Sequence, residues 1–265
     1  MGDKQNQKKL LQENKCLRRD LKKAQEAMGR FEFLKARMLK IISHDLRTPL
    51  SCIRGYSELL RSGIKGPITD AQKKMLDITV QEADHLNGLI GDVLDMSLLD
   101  AGQLNLDTQP VPFHELIQKA LPRLQLASEL KEIPLENRLD LPLPVVEADV
   151  TRMVQVIVNI LRGLLKYAPK GGRVILSAVQ TGRMLELRLS QDGRGVASEQ
   201  LEKLFKAAEA SPTGKTVQDG LQIALALALA IVKLHNGKMG MESGRQSNVT
   251  TFWIRLPILK ETSNT

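Results

Sequence analysis

From Leu39 to Leu60 the chain places Leu39, Ile42, Leu46, Leu50, Ile53 and Leu60 at steps of three, four and seven residues, and no other feature restricts its fold as much. At about 100° per residue these side chains share one helical face, which must be covered by another apolar surface. The stripe stops at Ser62-Gly63-Ile64-Lys65-Gly66-Pro67, whose two glycines and proline read as a connector, and Thr69 is placed to cap a second helix. A second stripe, Leu76, Val80, Ala83, Leu86, Ile90 and Val93, predicts that helix over roughly 70–102. Two such helices form a hairpin that cannot bury its own stripe, and dimerising into a four-helix bundle completes it.

Upstream the period changes to seven. Leu10, Leu17, Ala24, Phe31 and Met38 recur at one position, with Leu21, Met28 and Ile42 in the companion row, which Asn14 and Lys35 interrupt. This is an imperfect coiled-coil seam that pairs with its own copy and runs on into the hairpin. The formal charge of +8 is concentrated here: residues 1–40 hold 12 Lys+Arg against 5 Asp+Glu, and the other 225 hold 26 against 25. The basicity therefore reads as the solvated face of one helix, and no nucleic-acid partner is expected. Two cysteines, Cys16 and Cys52, build neither a disulfide framework nor a zinc site, so a reducing, cytoplasmic setting is expected and no metal ligands are assigned. The lysine-rich N-terminus lacks the pattern of a signal peptide, and the longest apolar run, Ile223 to Val232, is half of the ~20 residues a membrane span needs, so no membrane span is expected.

Beyond Ala101-Gly102 the composition changes. Helices are predicted over 112–131, 150–167 and 220–234, with a proline-broken stretch at Pro134, Pro142 and Pro144. Arg173 to Val179 and Leu185 to Ser190 read as a strand pair turning at Thr181-Gly182, and Thr250 to Leu256 as a last strand. Aromatics are only 3%, so the core must rest on Leu, Ile, Val, Ala and Met. The second domain is α+β, with helices over one face of a mostly antiparallel sheet. The alternating Leu225 to Ala230 is core helix, since its alanines favour helix over strand.

Within the first hairpin helix, Ile42-Ser43-His44-Asp45-Leu46-Arg47-Thr48-Pro49-Leu50 places His44 about 160° from the centre of the apolar stripe, towards water. Asp45 is adjacent, Thr48 lies one turn on, and Pro49 removes a backbone donor and should bend the helix. This string resembles the H box of two-component sensor histidine kinases. The resemblance implies that His44 accepts a phosphoryl group, that Asp45 positions or deprotonates its imidazole, and that Thr48 orients water in the reverse, phosphatase reaction. A neutral imidazole nitrogen is nucleophilic near pH 7, and a neighbouring carboxylate fixes its tautomer.

The second domain resembles the ATP-binding domain of the same family, through Arg152, Gln155, Asn159, Lys166-Tyr167 and Pro169 (the N box), Gly193-Arg194-Gly195-Val196, Ala226 to Gly237, and Thr250-Thr251-Phe252. The two matches cover about residues 31–257. The resemblance implies nucleotide contacts at Asn159, Lys166, Tyr167, Gln191, Gly193, Gly195 and Gly220. It also exposes departures. Gly163 stands where the family has a second, magnesium-ligating asparagine, and Gln191 where it has the aspartate that reads adenine, with Asp192 one place later. The last glycine box reads Gly220-Leu221-Gln222-Ile223-Ala224, with side chains at two positions where backbone should approach phosphate, and Ala208 replaces a usual phenylalanine in the lid, Ala207 to Asp219. Magnesium takes oxygen ligands and helps hold the phosphates, so Gly163 should weaken both together.

These readings divide the chain into a coiled-coil helix (1–30), a dimerisation and phosphoacceptor domain (31–103), an ATP-binding-like domain (104–260) and a tail (261–265). The leading expectation is a dimeric histidine-kinase-like protein that carries a phosphoryl group on His44 and exchanges it with a response-regulator receiver domain, as phosphotransferase, phosphatase or a subunit phosphorylated in trans by a heterodimeric histidine kinase. ATP and Mg²⁺ are cofactors only if the divergent pocket is functional. The alternatives are an ATP-dependent autokinase with a tolerant pocket, and a non-catalytic scaffold for a kinase or receiver domain.

Overall fold

The structure is a computed structural model that describes residues 2–192, 197–210, 220–243 and 249–259. Helix α1 (Gly2–Arg61) is one uninterrupted helix, about 90 Å long at 1.5 Å per residue, so the heptad segment does run on into the hairpin. The side chains of residues 1–11, 13 and 16 lie outside the description, and Leu10 and Cys16 with them. Pro49 is inside α1, and the helix continues past it to Arg61.

Helix α2 (Asp70–Asp100) begins in a capping box: the Gln72 amide donates to the Thr69 side chain at 3.2 Å, and the Thr69 backbone N–H donates to Gln72 Oε1 at 2.8 Å. It ends at Gly102, whose φ of +65° only glycine adopts without strain. Ion pairs set the hairpin register: Arg61 Nη1 lies 3.0 Å from Asp77, Arg54 Nε 2.7 Å from Asp84, and Lys35 Nζ 3.4 Å from Asp100. Leu50, Val80 and Ala83 are buried between the helices, but Ile42, Leu46, Ile53, Leu60, Leu86 and Val93 are exposed. Half of the apolar stripe thus has no cover within one chain.

The second unit continues the chain as β1 (Gln109–Pro112), α3 (Phe113–Ala120), α4 (Gln125–Lys131), β2 (Leu135–Asn137), β3 (Val145–Ala148), α5 (Val150–Tyr167), β4 (Arg173–Thr181), β5 (Met184–Asp192), α6 (Ala197–Ala210), α7 (Gly220–Leu234), β6 (Lys238–Ser243) and β7 (Val249–Pro257). The predicted helix over 112–131 is corrected to α3 and α4 separated by a 3₁₀ turn at Leu121–Arg123, where Pro122 cannot supply the helical N–H. The proline-broken stretch holds the short strand β2, and β3 begins directly after Pro144. Five strands order as β2-β4-β5-β7-β6, antiparallel except for the parallel β2–β4 pair, and β1 pairs with β3 separately. The hairpin turn at Thr181-Gly182 forms as expected, with Gly182 at φ +61°.

One continuous core joins the inner sheet face, α3, α5, α6 and α7. Val156, Ile157, Ile160, Leu161 and Leu164 of α5 pack with Leu176, Leu187, Leu189, Leu227, Ile231 and Phe252, all essentially inaccessible to water. Leu225 to Ala228 are buried in α7, the core helix expected. Met96 of α2 belongs to this same core, and Leu99 packs against it, so the hairpin and the second unit share an apolar seam.

Candidate functional site

His44 lies on the exposed face of α1, its side chain 81% accessible. Its Nδ1 stands 3.4 Å from Asp45 Oδ1, and the Thr48 hydroxyl donates to the His44 carbonyl at 3.3 Å. The structure therefore brings His44, Asp45 and Thr48 together on one turn, with the Thr48 proton directed at the backbone and not at the imidazole. A proton on Nδ1, directed at Asp45, would leave the lone pair on Nε2 of this exposed ring.

The motif residues of the second unit gather around α5. Asp149 caps the helix, accepting from the Arg152 N–H at 3.0 Å, and its own N–H donates to His235 Nε2 at 2.9 Å. At the other end Lys131 Nζ reaches the carbonyls of Leu165 and Lys166 at 3.1 and 3.4 Å. Lys166 is exposed and lies over the Tyr167 ring at 5.3 Å. Gln191 is buried, 3% exposed; its amide donates to the Tyr167 carbonyl at 3.3 Å, and its Oε1 has no partner among the described residues. Gly193 and Gly195 lie outside the described residues, as does the lid from residue 211 to 219.

The polar face of the N box is turned towards the hairpin. Asn159 Nδ2 donates to Asp92 Oδ2 at 3.1 Å, Gln155 Nε2 donates to Asp92 Oδ1 at 2.7 Å and to Asp95 Oδ2 at 3.0 Å, and Arg152 pairs with Asp95. Burial pushes the Asp92 carboxyl above its ordinary range and the nearby Asp95 charge adds to this, while the Gln155 and Asn159 amides and Arg162 pull it back. Burial likewise lowers Arg162, against the pull of Asp92 and Asp84. Asp92, Asp95 and Arg162 carry no motif that sequence reasoning could use, since the partners of the two carboxylates are 57 to 67 residues away along the chain.

Close packing continues around this face. A Cβ on Gly163 would stand 3.0 Å from Leu221 Cδ1, so an apolar side chain fills the space next to the missing asparagine. A Cβ on Gly220 would stand 2.8 Å from Leu89 Cδ2 of α2. Gln222 and Ala224 are both buried, and Leu89 and Leu221 add to the crowding at this corner. A separate cleft of about 460 Å³ between α6 and the β6–β7 edge, lined by Phe205, Met239, Met241 and Trp253, holds none of the motif residues.

An outward-facing histidine on a helical hairpin, leading into a sheet covered on one face by helices, defines a phosphoacceptor unit joined to an ATPase-type unit. Comparison with known proteins agrees: residues 34–102 match the His Kinase A (phospho-acceptor) domain, and residues 148–260 match the family of histidine kinase-, DNA gyrase B- and HSP90-like ATPases. The chain is 33% identical over 225 residues to histidine protein kinase DivJ of Caulobacter vibrioides, covering 85% of this chain and 38% of DivJ. It is 31% identical to sensor protein DivL of the same organism, covering 87% of this chain and 29% of DivL. Among solved structures, full-length ShkA in complex with AMPPNP superposes with a TM-score of 0.59 at 26% identity, over 84% of this chain and 46% of ShkA. The histidine kinase AdeS of Acinetobacter baumannii shares the fold, with a TM-score of 0.51 at 22% identity over 82% of this chain and 98% of AdeS. The chain belongs to the two-component sensor histidine kinase family. It spans well under half the length of these curated relatives, and no helix among the described residues is long and apolar enough to cross a membrane.

Proposed function

We propose that this chain is a phosphotransfer member of the family, carrying a phosphoryl group on His44 and exchanging it with the aspartate of a response-regulator receiver domain, while its ATPase-type unit binds Mg·ATP weakly or not at all. In the transfer, the Nε2 lone pair of His44 attacks phosphorus of the receiver's aspartyl phosphate; the N–P bond forms as the P–O bond breaks, and the receiver carboxylate leaves with the electron pair. Asp45 holds Nδ1–H and offsets the charge that develops on the ring. The reverse step returns the group, and water in place of the carboxylate gives hydrolysis, with Thr48 as the neighbouring hydroxyl.

One observation carries the pocket reading: Gly163 supplies no side-chain oxygen, and Leu221 closes the space a side chain there would enter. Magnesium requires oxygen ligands, and the residues present do not fit a metal–triphosphate corner. The second reading, an ATP-dependent autokinase, is favoured by Gln191, whose buried Oε1, without a partner among the described residues, suits an amino donor such as that of adenine. We place the protein in a reducing cytoplasm, which suits the free and exposed Cys52, and as a homodimer closing through the exposed stripe of Leu46, Ile53 and Leu60. Incubation with a labelled phosphorylated receiver tests the function: label is expected on the wild type and not on His44→Gln, and a wild type that takes up none contradicts it.

A further inference from the structure

Strand β6 (Lys238–Ser243) ends the five-stranded sheet: it pairs with β7 on one side, and no described residue pairs with it on the other. An edge strand leaves the N–H and C=O groups of alternate residues open, and folded proteins commonly blunt such an edge with proline or with charges that repel a second strand. β6 has no proline and carries one charge of each sign. Met239 and Met241 lie opposite the core residues Ile254 and Phe252 and share their inner face, so Lys238, Gly240 and Glu242 form the outer row. Lys238 and Glu242 are both exposed, and neither has an ion pair with a described residue. Arg255 stands beside Lys238 on β7, which makes that end of the row the cationic one.

The order of these residues is self-complementary. Lys238 and Glu242 stand two places either side of Gly240, and Met239 and Met241 one place either side. A second β6 laid antiparallel, glycine opposite glycine, sets lysine against glutamate at both ends of the outer row and methionine against methionine within. No neighbouring register does this. A slip of one residue turns the copy's inner face outward, and a slip of two sets the charges against glycine. The packing leaves room for the copy. A cleft of about 460 Å³ lies between β6 and α6, walled by Phe205, Met239 and Met241, and methionine side chains are well suited to filling such irregular space. On the outer face the Trp253 indole lies across Gly240, where any Cβ would run into it, and Arg255 stacks on the ring at 4.3 Å. Only glycine at 240 lets that ring reach the edge.

We infer that β6 is a self-pairing edge: the ATPase-type units of two copies of this chain join β6 to β6, antiparallel about Gly240, into one continuous sheet. Lys238 of each copy then pairs with Glu242 of the other, twice across a two-fold axis, as an isologous contact requires. The two Trp253 residues stand three strand spacings apart, about 14 Å, and their rings meet over the paired glycines. This surface is separate from the exposed hairpin stripe of Leu46, Ile53 and Leu60, so pairing through both links hairpin dimers into larger assemblies. It does not depend on whether the pocket binds Mg·ATP.

Sedimentation of the full chain over a range of concentrations, with the emission of Trp253 recorded on the same samples, tests the pairing. Trp253 is the only tryptophan, so its emission reads this edge and is silent to association through the hairpin. The wild type is expected to associate beyond the hairpin dimer, with Trp253 emission shifting in step. Lys238→Glu sets glutamate against glutamate and Glu242→Lys sets lysine against lysine; each is expected to raise the concentration needed for the shift about tenfold. Mixing the two variants restores it, because each then finds its complement, and so does the double exchange Lys238→Glu/Glu242→Lys within one chain. These recoveries also show that the variants are folded. Emission that ignores concentration in the wild type overturns the pairing and leaves the edge to a strand of another protein. Single variants that associate as the wild type does, or a mixture that fails to recover, overturn it equally.

Discussion

The hairpin and the ATPase-type unit have opposite relations between packing and chemistry. In the hairpin the chemical group is intact and the packing is incomplete: His44, Asp45 and Thr48 share a turn, while Leu46, Ile53 and Leu60 on the same helix stay exposed. In the second unit the packing is complete, with a closed core around α5, and the N-box donors are turned to Asp92 and Asp95, where the proposed function has the nucleotide chemistry weakened or lost. A core needs apolar volume and period, which many residue combinations supply; a metal site needs particular oxygens at particular positions. A fold can therefore tolerate substitutions that its site cannot.

This contrast can be broken most forcefully at His44. Replacing it with glutamine is expected to abolish phosphoryl uptake from a labelled receiver while thermal unfolding stays at the wild-type temperature, because the side chain is in water. Loss of both would deny that the hairpin separates chemistry from packing. The complementary change is Ile157→Ala or Leu164→Ala in the second unit, each removing a fully buried side chain. Unfolding monitored by denaturant should register a loss of ~2–5 kcal/mol.

Thr69→Ala removes the side-chain half of the α2 capping box and is expected to cost ~1 kcal/mol, read in the same way. At Gly163, restoring an asparagine is expected to fail on its own: the new side chain meets Leu221 at the first carbon, so Mg·ATP affinity stays at the wild-type level and stability falls slightly. Recovery of metal-dependent binding by Gly163→Asn alone would show that only one oxygen was missing.

Two buried carboxylates sharpen the comparison by pH. Asp92 has its carboxyl raised by burial, so the folded form binds a proton more readily than the unfolded form. Its contribution is fully present below the ordinary carboxylate value and is lost as pH rises through the raised value. Glu186, on the sheet, is raised by burial but lowered further by hydrogen bonds from Arg255 and Arg188, so its net direction is down. Its contribution is present above the ordinary glutamate value and is lost as pH falls through the lowered one. Denaturation followed against pH should show the first dependence vanish in Asp92→Asn and the second in Glu186→Gln.

Much of the architecture is legible along the chain because it is local. The α5 and α7 boundaries, the Thr69 cap, the Thr181-Gly182 turn and the outward aspect of His44 each arise from spacing or from turn chemistry within a few residues. The break at Leu121–Arg123 is signalled by Pro122 but masked by the apolar period on either side. The short β2 and β3, and the edge strand β6, have too few residues for a period and are stabilised by neighbours distant in sequence. At the site, Gly163 and Gln191 can be read by resemblance, but the engagement of Asn159 cannot. Asp92 and Asp95 look like ordinary exposed-face acids of an amphipathic helix until α5 is laid against them.

Whether the second unit has given up its metal–triphosphate chemistry is decided by calorimetric titration of the full chain with Mg·ATP, in parallel with Mg²⁺-free ATP. No saturable, metal-dependent heat is expected at ordinary nucleotide concentrations, while the same preparation accepts phosphoryl groups from a receiver. Saturable micromolar binding that requires Mg²⁺ would contradict it.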